Sequence, residues 1–197
     1  MVSLTSATGG GKVMEVIGTC DNTSVGGIVR DKEGRILMIL RANYPYSYAP
    51  PAGHCDGKAY PVACFDEIFE ETGLKILHVA PSPRIVSNPR QNKCRRGGEY
   101  HYWQVFEFNQ AERPNMVLSG QLRPEPGGTK WAGWMTVEEI RCLAAKTQEY
   151  VRRWKLAEQT EELSHTTAIR ESLEKEWESS PGLEVVWYEI LQELKII

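Results

Sequence analysis

Apolar positions along the chain fall into short blocks separated by dense turn signals. "GGIVRDKEGRILMILR" carries β-branched and aliphatic residues on both sides of a polar cluster at residues 31–34, which predicts two strands joined by a tight turn. A loop rich in Pro, Gly and Tyr follows, "NYPYSYAPPAGHCDGKAYP". The pattern then changes period. Val62, Phe65, Ile68 and Phe69 recur at three- and four-residue steps and predict the apolar face of a helix. Pro61 suits its first turn, and Gly73 its stop. Residues 74–79 and "YHYWQVFEF" predict strands, separated by "APSPRIVSNPRQNKCRRGG", a polar connection long enough to carry function. "KWAGWMT" predicts a further strand and "VEEIRCLAA" a short helix. Residues 146–178 are helical in composition and heavily charged, Pro181-Gly182 breaks them, and "LEVVWYEILQEL" predicts a final amphipathic helix. The order implies α+β or a three-layer α/β/α sandwich.

At 197 residues, 41% of them hydrophobic, the chain can bury a sizeable core. We expect a disordered stretch at residues 1–12, one domain at 13–145, and a helical extension at 146–197. Leu183, Val186, Trp187, Ile190, Leu191 and Leu194 make a stripe that must be covered, by the domain or by a twin in a homodimer. A net charge of -3 gives no general attraction to nucleic acid. The longest aliphatic run, "ILMIL", is far too short to span a membrane, and nothing at the start reads as a signal peptide. Five cysteines without a C-x-x-C point to free thiols in a reducing, cytoplasmic setting.

The candidate chemistry lies in "FDEIFEETG". Glu67, Glu70 and Glu71 fall at i, i+3 and i+4 of the predicted helix, in its last turns. Like charges at this spacing cost about 0.2–0.5 kcal/mol per pair, and acids there oppose the helix dipole. A solvated acidic face is one reading; a Mg²⁺ or Mn²⁺ site made of clustered oxygen ligands is the other. His54 and Cys55 have zinc-ligand chemistry, yet no second pair stands at a suitable spacing. "TGGGKV" lacks the pattern of a phosphate-binding P-loop.

The helix, its preceding loop "PPAGH", the hairpin before it and "WAGWMTVEEI" after it together resemble the Nudix hydrolase family, over roughly residues 25–143. The signature's second half stands as "DEIFEETGL". Between Gly53 and Glu67 the chain is one residue shorter than the family pattern, and Lys58 and Asp66 stand where the family carries Glu and Arg. The resemblance implies a Nudix-like α/β/α sandwich with a mixed sheet and additional C-terminal helices. It also implies hydrolysis of a nucleoside diphosphate derivative, with Mg²⁺ or Mn²⁺ held by Glu67, Glu70, Glu71 and a backbone carbonyl near Gly53. Glu70 or Glu67, or Glu125 on a distant loop, would supply the base. For such a substrate Arg90, Lys93, Arg95 and Arg96 are candidates to grip phosphate. Tyr44 and Tyr46 are candidates to stack on a base, and Tyr48 reads as a packing residue. The exchanged signs at Lys58 and Asp66 predict an ion pair that fixes the loop against the helix. A competing reading keeps the fold and loses catalysis, leaving a nucleotide- or partner-binding module.

Overall fold

The structure, a computed structural model, describes residues 19–84, 86, 89–159 and 163–197; the expected disorder at residues 1–12 lies outside them. Strands β1 (Thr23–Arg30) and β2 (Ile36–Arg41) form the expected antiparallel hairpin. The carboxylate of Asp31 closes its turn by accepting the Glu33 and Arg35 N–H groups at 3.1 and 2.8 Å, a local bond that aspartate favours in turns. Two short strands lie inside the Pro-rich loop, β3 (Tyr48–Ala49) and β4 (Ala52–His54). Helix α1 (Tyr60–Thr72) follows, then β5 (Lys75–Leu77), β6 (Ser82–Arg84) and β7 (Arg90–Gln91). The chain continues through β8 (Tyr100–Asn109), β9 (Val117–Ser119) and β10 (Thr129–Met135). Helices α2 (Val137–Glu158), α3 (Leu163–Ser179) and α4 (Val185–Glu193) complete it.

The main sheet runs β10-β2-β1-β8-β6, with β3 beside β2, β4 beside β1 and β7 beside β8. Strands β1 and β8 are parallel from Thr23↔Tyr102 to Arg30↔Asn109, and the other pairings are antiparallel. This is the mixed sheet of a three-layer α/β architecture. One face carries Val25, Val29, Leu37, Phe106 and Phe108 against α1; the other carries Ile28, Met38 and Val105 against α2 and α4.

The central strand is thin where both layers press on it. A Cβ at Gly26 would meet the Trp187 ring of α4 at 2.4 Å, and one at Gly27 would meet Ile68 of α1 at 2.5 Å. Consecutive residues of a strand point to opposite faces, so two glycines in a row admit a helix from each side.

The pattern predicts a short helix near residue 137 and a domain boundary at 145/146. Helix α2 instead runs unbroken across that point. It starts where expected, with Thr136 accepting the Glu139 N–H at 3.2 Å and returning its own N–H to Glu139 at 2.7 Å, a capping box. The C-terminal stripe is covered by its own domain: Leu183, Trp187, Ile190 and Leu191 are wholly buried. Its apolar width therefore gives no reason to invoke a twin. Among the described residues, no helix is long and apolar enough to cross a membrane.

Because Trp187 has no exposed surface, Trp187→Ala should destabilise the fold by about 3–5 kcal/mol in urea melts followed by circular dichroism. Val185→Ala, on the outer side of the same helix, should stay within about 0.5 kcal/mol.

Candidate active site

Helix α1 begins at Ala59 without a side-chain cap, tolerates Pro61 in its first turn, and stops at Gly73, where φ is 76° and the N–H bonds the Phe69 carbonyl at 2.8 Å. Its buried face is only partly the one the apolar stripe suggests: Ile68 is buried and Phe65 packs on Phe108. Val62 and Phe69 are exposed, while Ala63, Cys64, Ile68 and Thr72 face inward. The remainder of the face is set by small residues that carry little hydrophobic signal. The correction matters chemically. Residues 63, 67 and 71 form a row beside 64, 68 and 72, since side chains four apart stack on one face. Glu67 and Glu71 therefore border the core, whereas Glu70 is exposed.

Strand β4 receives those two carboxylates. A Cβ at Gly53 would sit 2.1 Å from Glu67 Oε1, so only glycine lets the carboxylate lie against the strand. The Ala52 N–H donates to Glu71 Oε2 at 2.9 Å. Burial, reinforced by the charges of Glu70, Asp56 and Glu125, pushes the Glu67 carboxyl up to about 7, with Lys58 opposing. Burial and then Glu67 push Glu71 well above the usual carboxylate range, against the Ala52 hydrogen bond and the pull of Arg41. Desolvation and like charge thus act together to disfavour ionisation. The donor set suits a hard divalent cation: carboxylate oxygens from Glu67 and Glu71, beside the Gly53 backbone, in a place where positive charge relieves the repulsion.

These groups adjoin a cleft of about 300 Å³ whose walls include Arg41, Tyr44, His54, Glu71, Arg95 and Arg96. Of the residues singled out from sequence, Tyr44, Gly53, His54, Glu71, Lys93, Arg95 and Arg96 line it. Arg96 also pairs with Asp56, tying its loop to the one before α1. Glu125 is exposed and acts electrostatically on both Glu67 and Glu71. Tyr46 stands edge-on to Tyr44, 6.4 Å between centroids, with Lys130 over its ring, and does not line this cleft. Arg90 does not line it either: its guanidinium pairs with Glu189 and Glu193 of α4. Tyr48 packs on Trp131, as a packing residue should. Lys58 and Asp66 form the expected ion pair, 2.7 Å between Nζ and Oδ2.

Two features were missed. Arg41, the polar end of "ILMILR", reaches the cleft and pairs with buried Glu184 at 3.5 Å; its abrupt place after an aliphatic strand was the available signal. His54 has no ligand pair at motif spacing along the chain. It meets His101, Cys20 and Cys94, which arrive from remote parts of the chain, while Cys55 turns into the core.

The NUDIX domain model matches residues 21–160. Among solved structures, a MutT NUDIX hydrolase from Burkholderia pseudomallei is 22% identical, covering 59% of this chain and 84% of that one, with TM-score 0.46. A NUDIX hydrolase from Nitrosomonas europaea is 22% identical over 61% of this chain and 76% of that one, TM-score 0.45. An Ap4A hydrolase from C. elegans is 18% identical over 59% and 81%, TM-score 0.36. A comparison with curated proteins finds no match.

A Glu67 carboxyl raised from 4.5 to about 7 binds more protons folded than unfolded. Stability of protein free of Mg²⁺ and Mn²⁺ should therefore fall as pH rises from about 4.5 through 7. Cation binding releases those protons, so the rise in melting temperature with added Mn²⁺ should be larger at pH 8 than at pH 5.5. Glu71→Gln should remove most of that rise while stabilising the cation-free protein; an undiminished rise would exclude Glu71 as a ligand.

The Lys58–Asp66 pair calls for a charge exchange. Lys58→Glu and Asp66→Arg should each lower the melting temperature or turnover, and the double variant should recover a good part of the loss. Strictly additive effects would show that the two residues act separately.

Proposed function

The chain belongs to the NUDIX domain family, and on that premise we propose that it hydrolyses a pyrophosphate bond in a nucleoside diphosphate derivative with the aid of Mg²⁺ or Mn²⁺. The observation that carries this reading is the pair of inward carboxylates, Glu67 and Glu71, raised by burial beside a cleft whose walls include arginines. A bound divalent cation supplies neutralisation of the pyrophosphate and acidifies the attacking water. Glu67 and Glu71 hold it, with the Gly53 carbonyl as a further oxygen. Glu70, exposed on α1, and Glu125, whose charge acts on Glu67 and Glu71, are our candidates to take a proton from water. Arg95 and Arg96 meet the phosphates, where the planar guanidinium suits bidentate contact. Tyr44, 61% exposed at the mouth, offers a face to a base. Arg41 remains tied to Glu184 and steadies Glu71. Free cysteines throughout the described residues suit a reducing compartment such as the cytoplasm.

The departures at Lys58 and Asp66 keep a second reading in play, a binding module without turnover. Nucleotide sugars, dinucleoside polyphosphates, ADP-ribose and nucleoside triphosphates, each assayed with Mg²⁺ and Mn²⁺, separate the two. Hydrolysis of at least one class is expected, abolished in Glu67→Gln and Glu71→Gln. Of Glu70→Gln and Glu125→Gln, the one that removes the base should lose about 10²–10⁴-fold in kcat. Nucleotide binding without hydrolysis by the wild type would favour the module.

A further inference from the structure

Four side chains with soft donor atoms converge at one side of the cleft, apart from the carboxylates. Cys20 precedes β1, His54 ends β4, Cys94 lies in the loop between β7 and β8, and His101 belongs to β8. Their ligand atoms all lie within 4.8 Å of one another. His101 Nε2 stands 3.1 Å from Cys20 Sγ and 3.2 Å from His54 Nε2. A tetrahedral zinc ion, with bonds of about 2.0 Å to nitrogen and about 2.3 Å to sulfur, holds its ligand atoms about 3.3–3.8 Å apart. The cluster is already drawn to nearly that size.

Its surroundings fit the same occupant. The N–H groups of Asn22 and Gly98 point at Cys20 Sγ and Cys94 Sγ, each at 3.3 Å, as donors to thiolates would. A Cβ at Gly98 would come within 2.6 Å of Cys20 Sγ and 3.0 Å of His101 Nε2. Only glycine lets the loop close over the cluster. The two Nε2 atoms face each other, and without a cation at most one proton can lie between them. A cation lets both rings present lone pairs and keep their protons on Nδ1. Burial makes the arrangement dependent on a partner: His101 is 1% exposed.

We infer that Cys20, His54, Cys94 and His101 form a Cys₂His₂ site for a structural Zn²⁺ ion, separate from the carboxylate site on α1. With four protein ligands the coordination shell is closed, which marks a structural rather than a catalytic zinc. The site joins three parts of the chain that are distant in sequence, around Cys20, around His54 and from Cys94 to His101, and it fixes the loop of Asn92, Lys93, Arg95 and Arg96 as one wall of the cleft. Zinc here orders the anion-facing loop and leaves hydrolysis to the carboxylates.

Full-length protein purified without chelator should contain about one zinc per chain by plasma mass spectrometry. Cys20→Ser, Cys94→Ser and His101→Ala should each lose most of it. Cys142→Ser, on the exposed side of α2, should keep it, and so should Glu71→Gln, which separates this site from the one on α1. Wild-type protein stripped of metal and titrated with Co²⁺ supplies a second readout that does not depend on the folding of a ligand variant. Visible ligand-field bands of tetrahedral, thiolate-bound cobalt are expected, saturating at one equivalent and displaced by Zn²⁺. Metal-free protein that gives no such bands, or a Cys20–Cys94 disulfide in freshly purified protein, would overturn the inference. Zinc retained undiminished by folded Cys94→Ser would do the same.

Discussion

Helix α1 lies so close to strands β1 and β4 that neither Gly27 nor Gly53 could carry a methyl group without displacing a side chain of the helix. That approach fixes almost everything about the site. At Gly27 the vacated space takes Ile68, which is 1% exposed, and with it the apolar contact that seats the helix. At Gly53 the space takes a carboxylate. Hydrophobic packing on one row of α1 therefore drives charge into a poorly hydrated place on the next, since both rows turn inward together. The fold supplies only partial relief, through the Ala52 N–H, Arg41 and Lys58. A helix seated less deeply would leave Glu67 and Glu71 as ordinary solvated acids with little hold on a hydrated cation.

Much of this scaffold was legible in the chain. The β1–β2 hairpin, β8, β10 and the limits of α1 follow from local patterns: β-branched blocks, a turn cluster, Pro at a helix start and Gly at its end. The Lys58–Asp66 pair was legible too, because the two altered signature positions carry the family's charges exchanged and so keep opposite signs. Other features failed for identifiable reasons. The inner face of α1 is built from Ala63, Cys64 and Thr72, whose apolar signal is weaker than that of Val62 and Phe69 on the outside. The charged composition of α2 hid its continuity, since a long helix packed on one side needs few apolar residues. Arg90 looked like its neighbours in a basic run; only the tertiary position of α4 shows that Glu189 and Glu193 claim it.

The cysteine and histidine cluster marks the limit of motif reading most sharply. A zinc motif is recognisable in sequence when its ligands come in close pairs on one turn. Here Cys20, His54, Cys94 and His101 come from three distant parts of the chain, and only Cys94 and His101 are near neighbours in it. What assembles them is the sheet. The parallel pairing of β1 with β8 sets Thr23 opposite Tyr102, and the antiparallel pairing of β1 with β4 sets Ser24 opposite His54. Register brings the donors together, and register is not written in spacing.

Strand β4 then accounts for how the two proposed sites can lie so near each other. Gly53 and His54 are consecutive residues of an extended strand, so they face opposite sides of the sheet. Gly53 presents bare backbone to the Glu67 carboxylate on the α1 side; His54 carries its imidazole toward His101 on the other. The donor atoms differ in kind as well as in direction. Carboxylate and carbonyl oxygens suit Mg²⁺ or Mn²⁺, while thiolate and imidazole suit Zn²⁺. A zinc ion drawn to the oxygen site would gain no sulfur ligand, and Mg²⁺ at the sulfur site would gain no oxygen. On the proposed assignments, chemical softness would sort the two ions across a single strand, whose alternation sets Gly53 and His54 on opposite faces.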